Sequence, residues 1–190
     1  MPSAPHAQRV GESFNDVMAA AQAGAEWAVA ILYRSLQPRL LRFLRAQAPA
    51  HDAEDIAAQS WLEIAKALPR FTGDEDGFQA LVFTVARRRL ANYRRSQRRR
   101  PVDLGDDRVL ETAGGESPED KVLDRLSGEE AARRITAVLP PEQAEIVLLR
   151  VVAGLSVDQV ATLVGRRPGT VRVLQHRALK RLAERLGDDL

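Results

Sequence analysis

The stretch Gly154-Leu-Ser-Val-Asp-Gln-Val-Ala-Thr-Leu-Val-Gly165-Arg-Arg-Pro-Gly-Thr-Val171 carries the start and stop signals of two helices. Ser156, with Gln159 three residues later, forms a capping box in which each side chain bonds the other residue's backbone N–H. Val157, Val160, Ala161 and Val164 then share one helical face. Gly165 suits the left-handed conformation of a tight turn. Pro168 suits the first turn of a following helix. That second helix places Val171, Leu174, Ala178 and Leu182 inward and Arg172, Gln175 and His176 outward. A short helix, a glycine turn and a basic second helix make a helix-turn-helix, whose second helix fits the roughly 12 Å major groove of duplex DNA. The alternative is an ordinary helical hairpin. It requires neither the cap-turn-cap punctuation nor basic residues at the start of the second helix.

Working outward, Pro140-Pro141 separates a helix carrying Ile135, Val138 and Leu139 from one carrying Ile146, Val147, Leu149 and Val151. Ser127-Gly-Glu-Glu130 reads as the capping box that opens the former. Before it, residues 101–126 hold Pro101, three Gly, Ser117-Pro118 and scattered acids, a linker composition with room for one short turn after Ser117. Upstream lie four more predicted helices. Ser13 and Asp16 cap the first, which ends at Gly24. The second runs from about Glu26 to Arg45, with a kink or break expected at Pro38. Asp52 opens the third, with Asp55 in its first turn and Ile56, Ser60, Ile64 and Leu68 along one side. Asp76 with Gln79 caps the fourth, whose core stripe is Phe78, Leu81, Val82, Val85, Ala86 and Leu90. The expected fold is all-α: two small helical domains, 13–100 and 127–187, a flexible acidic linker 101–126 and a disordered tail 1–12.

Charge is segregated along the chain. The net charge of the 190 residues is only +2, yet residues 87–100 hold eight Arg and no acid, and residues 166–185 hold seven Lys/Arg and one Glu. Residues 51–76 and 101–128 are each at −5. Two basic blocks separated by acid point to two polyanion contacts on one chain; two solvated helix faces are the plainer reading. Aromatics near the first block (Phe71, Phe78, Phe83 and Tyr93) can stack on unpaired bases, although Phe78 and Phe83 read better as core. The polar loop Thr72–Gly77 could wall a pocket for an extruded base.

Composition excludes several classes. With no Cys and only three dispersed His, disulfide scaffolds, thiolate zinc sites and a His-built metal centre fall away. The apolar stretch at Trp27–Leu32 is far short of the roughly 20 residues that span a bilayer. The N-terminus has no apolar signal core, so no membrane insertion and a cytoplasmic location are expected. No GxxxxGK, HExxH or GxSxG motif is present, and no catalytic constellation or cofactor site is expected. Asp52, Glu54, Asp55 and Glu63 could in principle hold Mg²⁺ for a nuclease. But Asp55 and Glu63 lie roughly two helical turns apart and cannot share one ion.

Two ordered segments resemble a known family. Ala53-Glu-Asp-Ile, Trp61-Leu, Leu68-Pro-Arg-Phe71 and Phe78-Gln-Ala-Leu-Val-Phe-Thr-Val-Ala-Arg87 resemble domain 2 of bacterial sigma factors of the extracytoplasmic-function group. Leu139-Pro-Pro-Glu-Gln-Ala-Glu-Ile-Val-Leu-Leu-Arg150, Gly154-Leu-Ser, Val160-Ala, Gly165 and Gly169-Thr-Val-Arg172 resemble their domain 4. The resemblance covers about 13–100 and 127–185, with nothing further expected after domain 4. It implies a factor that binds core RNA polymerase and promoter DNA, with an anti-sigma factor as a further partner. The −35 duplex would be read by Arg166, Arg167, Thr170, Arg172, Gln175, His176 and Arg177. The −10 element would be melted and held by Phe71, Thr72, Asp74, Asp76, Arg87 and Asn92, with Arg88, Arg94 and Arg95 added from charge and helical phase. Core polymerase would be bound by Asp52, Glu54, Asp55, Gln59, Leu62 and Glu63. The linker would run through the polymerase active-site cleft, whereas its composition alone fits a passive tether equally well.

The chain departs from the family pattern at three places. Ala58-Gln59 replaces a Gln-Glu pair, Arg88 and Asn92 replace an Asn and an Asp, and Val173-Leu174 replaces a Ser-Arg pair in the recognition helix. A transcription regulator with its own operator is the competing reading. It would need a ligand pocket or a dimer stripe in the first domain, where this chain has an acidic helix beside an arginine helix.

Overall fold

Eight α-helices account for most of the described residues, 13–99 and 119–187, of this computed structural model. In chain order they are α1 (Phe14–Gln22), α2 (Glu26–Arg45), α3 (Ala50–Ala67), α4 (Glu75–Arg99), α5 (Glu119–Val138), α6 (Pro141–Val147), α7 (Val157–Val164) and α8 (Pro168–Gly187). A 3-10 turn, Leu68–Arg70, follows α3, and a π turn, Leu148–Val152, follows α6. The tail 1–12 and linker residues 101–118 lie outside the described residues.

Local chemistry sets most helix starts. Ser13 and Asp16 close a capping box on α1. Helix α2 runs unbroken through Pro38, so of the expected kink or break there is no break. Burial of Leu36, Leu40, Phe43 and Leu44 on either side offsets the lost backbone bond, at roughly 1.5–3 kcal/mol per fully buried side chain. Helix α3 begins at Ala50, after Pro49, so Asp52 rather than Asp55 occupies its first turn. Ile56, Ser60, Ile64 and Leu68 are all buried; the Ser60 hydroxyl, on this apolar side, donates to the Ile56 carbonyl at 2.7 Å.

The cap of α4 is Asp74, not Asp76. Asp74 Oδ1 accepts from the Gly77 N–H at 2.8 Å, and the helix starts at Glu75. Gln79, read as the partner of an Asp76 cap, is buried and turned elsewhere. Helix α5 also starts earlier than expected. It runs through Ser127 and Gly128 from Glu119, so no cap forms at Ser127 and residues 119–126 of the expected linker are helical. Gly128 lets α5 approach α2 closely: a Cβ there would sit 3.1 Å from Arg42 Nε.

Packing joins the two helical units. One apolar cluster runs from Val17 and Leu32 through Phe43, Phe83 and Leu90 to Leu149, Leu155, Val160 and Val171. A smaller cluster of Leu139, Ala144, Val147, Ala178 and Leu182 closes α6 onto α8. Val151, read as part of an apolar stripe, is exposed instead.

Candidate nucleic-acid interface

The helix-turn-helix forms as its punctuation predicts. The Gln159 N–H donates to Ser156 Oγ at 3.1 Å, and the Ser156 N–H donates to Gln159 Oε1 at 2.6 Å. Gly165 caps α7 at φ 67°, a conformation with a steric penalty for any side chain. Its turn lets the Arg166 N–H reach the Ala161 carbonyl at 2.9 Å. Val171, Ala178 and Leu182 are buried beneath α8. Arg167, Thr170, Arg172, His176 and Arg177 are exposed, as is Arg166, which pairs with Glu142 at 2.9 Å. Gln175 differs from its outward reading: it is half-buried, and its Oε1 accepts from Arg150 Nε at 3.2 Å. Its place on the wheel, about 40° from Val171, turns it toward the packed side.

The second basic surface is the C-terminal half of α4. Arg87, Arg88, Arg94, Arg95 and Arg98 line a cleft of about 530 Å³ floored by Leu90, Ala91 and Leu163. Asn92 is exposed on the same helix. Several of these arginines already have partners. Arg88 and Arg89 both pair with Glu63, and Arg94 Nη2 donates to Gln47 at 3.1 Å. Arg87 is held by Glu145 of α6 and by the Leu163 carbonyl of α7.

Beside this helix, the segment Thr72–Gly77, expected as a loop, is a loop only over Thr72–Asp74, because Glu75–Gly77 form the first turn of α4; the segment is anchored at its root. Gln22 Nε2 donates to the carbonyls of Leu68 (3.0 Å) and Phe71 (2.7 Å). The half-buried Phe71 ring meets Phe78 edge-on at 5.5 Å. Thr72, Asp74 and Asp76 are exposed, but one carboxylate oxygen of Asp74 caps α4, and the Asp76 carbonyl accepts from Gln159 Nε2 at 2.8 Å. Phe78 and Phe83 are core, and Tyr93 donates its hydroxyl to Asp52 at 2.7 Å.

The acidic helix α3 divides into used and open groups. Asp52 accepts from Tyr93, Glu54 pairs with Arg45 at 2.6 Å, and Glu63 holds two arginines. Bonds from Glu54 and Glu129 raise the Arg45 pKa, outweighing the larger single effect of burial. Asp55, Gln59 and Leu62 are exposed at i, i+4 and i+7, which is one helical strip, with Asp55 Oδ2 3.7 Å from His51 Nε2 one turn earlier. Leu62 is 66% exposed, beside the half-buried Trp61, whose ring lies 5.0 Å from that of Tyr33.

The junction between the two units went unread in the sequence. Arg39 Nη2 donates to the Ala153 carbonyl at 2.5 Å, and buried Gln79 Nε2 donates to the same oxygen. The end of the π turn leaves such carbonyls without helical partners. Burial, then the nearby Arg42 charge, pulls Arg39 below its ordinary pKa, but a guanidinium stays protonated. The available signal was Gln79, a polar residue inside the stripe of Phe78, Val82 and Phe83.

Among the described residues, no helix is long and apolar enough to cross a membrane. The family model for sigma-70 region 2 matches residues 32–100, and that for sigma-70, region 4, matches residues 129–182. The chain is 34% identical over 161 residues to the ECF RNA polymerase sigma factor ShbA of Streptomyces griseus, covering 80% of this chain and 83% of that one. It is 32% identical over 184 residues to the ECF RNA polymerase sigma factor SigD of Mycobacterium tuberculosis, covering 93% and 85%. The solved structure of CnrH in complex with the cytosolic domain of CnrY superposes with a TM-score of 0.63 at 18% identity, covering 94% of this chain and all of that one.

Proposed function

The chain belongs to the sigma-70 family, among its ECF sigma factors, and from that membership we infer which of its surfaces meets which partner. It binds core RNA polymerase and directs promoter-specific transcription initiation. Region 4 reads the −35 duplex, and region 2 melts and holds the −10 element.

We assign the −35 contacts to the exposed side of α8, with Arg172, His176 and Arg177, and to Arg166, Arg167 and Thr170 at its entry. The observation carrying this is that these groups lie away from Val171 and Ala178, the residues that seat the helix. Gln175 serves this surface from behind, through Arg150. The −10 strand follows the α4 cleft: Arg87, Arg88, Arg94 and Arg95 neutralise phosphates, with Asn92 beside them. A base extruded from that strand meets Phe71, Thr72 and the Asp74 and Asp76 carboxylates, which accept from its amino groups. Core polymerase docks on Asp55, Gln59 and Leu62, while Asp52, Glu54 and Glu63 tie α3 to Tyr93, Arg45 and the α4 arginines.

The conformation is closed. Arg87 cannot hold Glu145 and a promoter phosphate with the same N–H groups, so full engagement of Arg87 with the −10 strand competes with its contact to region 4. A protein that holds the closed form suits this arrangement, and the similar CnrH is solved in complex with a second protein, the cytosolic domain of CnrY; we propose an anti-sigma factor as the third partner. Because core polymerase is the binding partner, we place the protein in the cytoplasm. The test is run-off transcription with purified core polymerase. Promoter-specific transcripts are expected only when the chain is added. A regulator with its own operator would bind duplex DNA alone and restore no initiation.

A further inference from the structure

We propose that Val173 reads a thymine of the −35 duplex through the thymine C5-methyl group. The inference rests on the −35 role of α8 given above.

Val173 is 49% exposed. It lies about 200° round the helix from the buried Val171, which puts it at the middle of the outward face. The next residue, Leu174, packs against the core, so the Val-Leu pair splits, one side chain in and one out. Gly169 and His176 precede and follow Val173 along the same strip, and Lys180 lies two turns on. Arg172 and Arg177 flank it, both exposed. Val173 is therefore a large apolar side chain at the middle of the outward face, with Arg172, Arg177 and Lys180 around it.

An apolar protein partner does not suit that setting. Leu179, the other large exposed apolar side chain among the described side chains of α8, lies about 120° round the helix from Val173, so the two form no common patch. The surrounding charge favours phosphate, which holds the helix in the groove. Within the groove, Val173 has no donor or acceptor for a base edge. The one feature of the major-groove edge that it complements is the thymine methyl. A β-branched side chain on a helix is nearly fixed at χ1, so its methyl groups need no ordering on binding.

The experiment uses the full chain assembled with core RNA polymerase and random −35 duplex libraries made with either dTTP or dUTP, since uracil lacks only the C5-methyl. The wild-type holoenzyme is expected to enrich thymine at one −35 position. That preference should fall about fourfold in the dUTP library, the size expected for removing one methyl from an apolar contact. Val173→Ala should lose the preference at that position alone. The DNA-side substitution leaves the protein unaltered, so the result does not depend on how the variant folds. Thymine preferences that survive replacement by uracil at every −35 position overturn the assignment, as does a Val173→Ala profile identical to wild type. Absence of any −35 preference in the wild type overturns the −35 role of α8 itself, and the inference with it.

Discussion

Arg87 of region 2 and Glu145 of region 4 form a two-pronged ion pair, Nε to Oε1 at 2.8 Å and Nη2 to Oε2 at 3.3 Å, while Arg87 Nη1 donates to the Leu163 carbonyl at 2.9 Å. Three N–H groups of the guanidinium are thus committed to the opposite region. The same side chain is the one proposed above to hold the −10 strand, and on that proposal closure and promoter opening compete for one residue.

Glu145→Gln should shift the chain toward separation of the two regions. The pair is partly exposed, so its removal is worth at most about 1 kcal/mol, or about fivefold in the open population. Fluorescence transfer between labels on α1 and α8 reads the shift. At low salt the variant should resemble wild type at high salt, and it should bind a single-stranded −10 oligonucleotide more tightly. Salt-independent transfer in the wild type would count against the pair as a clasp.

Gly154 and Gly165 both lie at positive φ, 72° and 67°. Alanine at either should lose roughly 1–2 kcal/mol to backbone strain. At Gly165 a Cβ meets nothing within 4 Å, whereas at Gly154 it runs into Arg39 Nη2. Gly154→Ala should therefore lower the urea midpoint further than Gly165→Ala. In an Arg39→Ala background most of the excess should disappear, leaving the tight 3.3 Å approach to Gln79 Nε2; an unchanged excess would mean Arg39 does not sit there in solution.

Arg172→Ala should weaken −35 duplex binding by about 1–3 kcal/mol if the guanidinium reads a base edge. Uniform weakening across all promoter sequences would reassign it to phosphate. Gln175→Ala should act differently because its amide is held by Arg150. Its main effect should be on the melting temperature of region 4, with a smaller loss of promoter selectivity.

Leu62→Ala should leave folding stability within about 0.5 kcal/mol of wild type, since the side chain is exposed. Binding of core polymerase should fall, and Asp55→Lys should do the same while sparing −35 binding. Titration against labelled core polymerase decides it: unchanged affinity in both variants would remove this face of α3 from the interface.

The elements that could be read from the chain are those made by neighbours in sequence. The Ser156–Gln159 box, the Gly165 turn, the Ser13–Asp16 box and the buried stripes of α3 and α4 depend on residues three or four apart. Caps and helical periodicity act over that range, so no other part of the molecule is needed to specify them. Where two local solutions competed, the sequence could not choose. Asp74 and Asp76 are equivalent candidates for capping α4, and the choice falls to Asp74 in a structure where Gln79 is drawn into the junction. The division of α3 into bracing acids and an open strip likewise depends on Tyr93, Arg45, Arg88 and Arg89 arriving from other helices. Closure is further still from any local signal. Arg87 and Glu145 are 58 residues apart, Gln79 and Ala153 are 74 apart, and Arg39 and Ala153 are 114 apart. Such pairs form only when packed helices bring their side chains together, and a pattern of apolar spacing says which face is buried without saying against what.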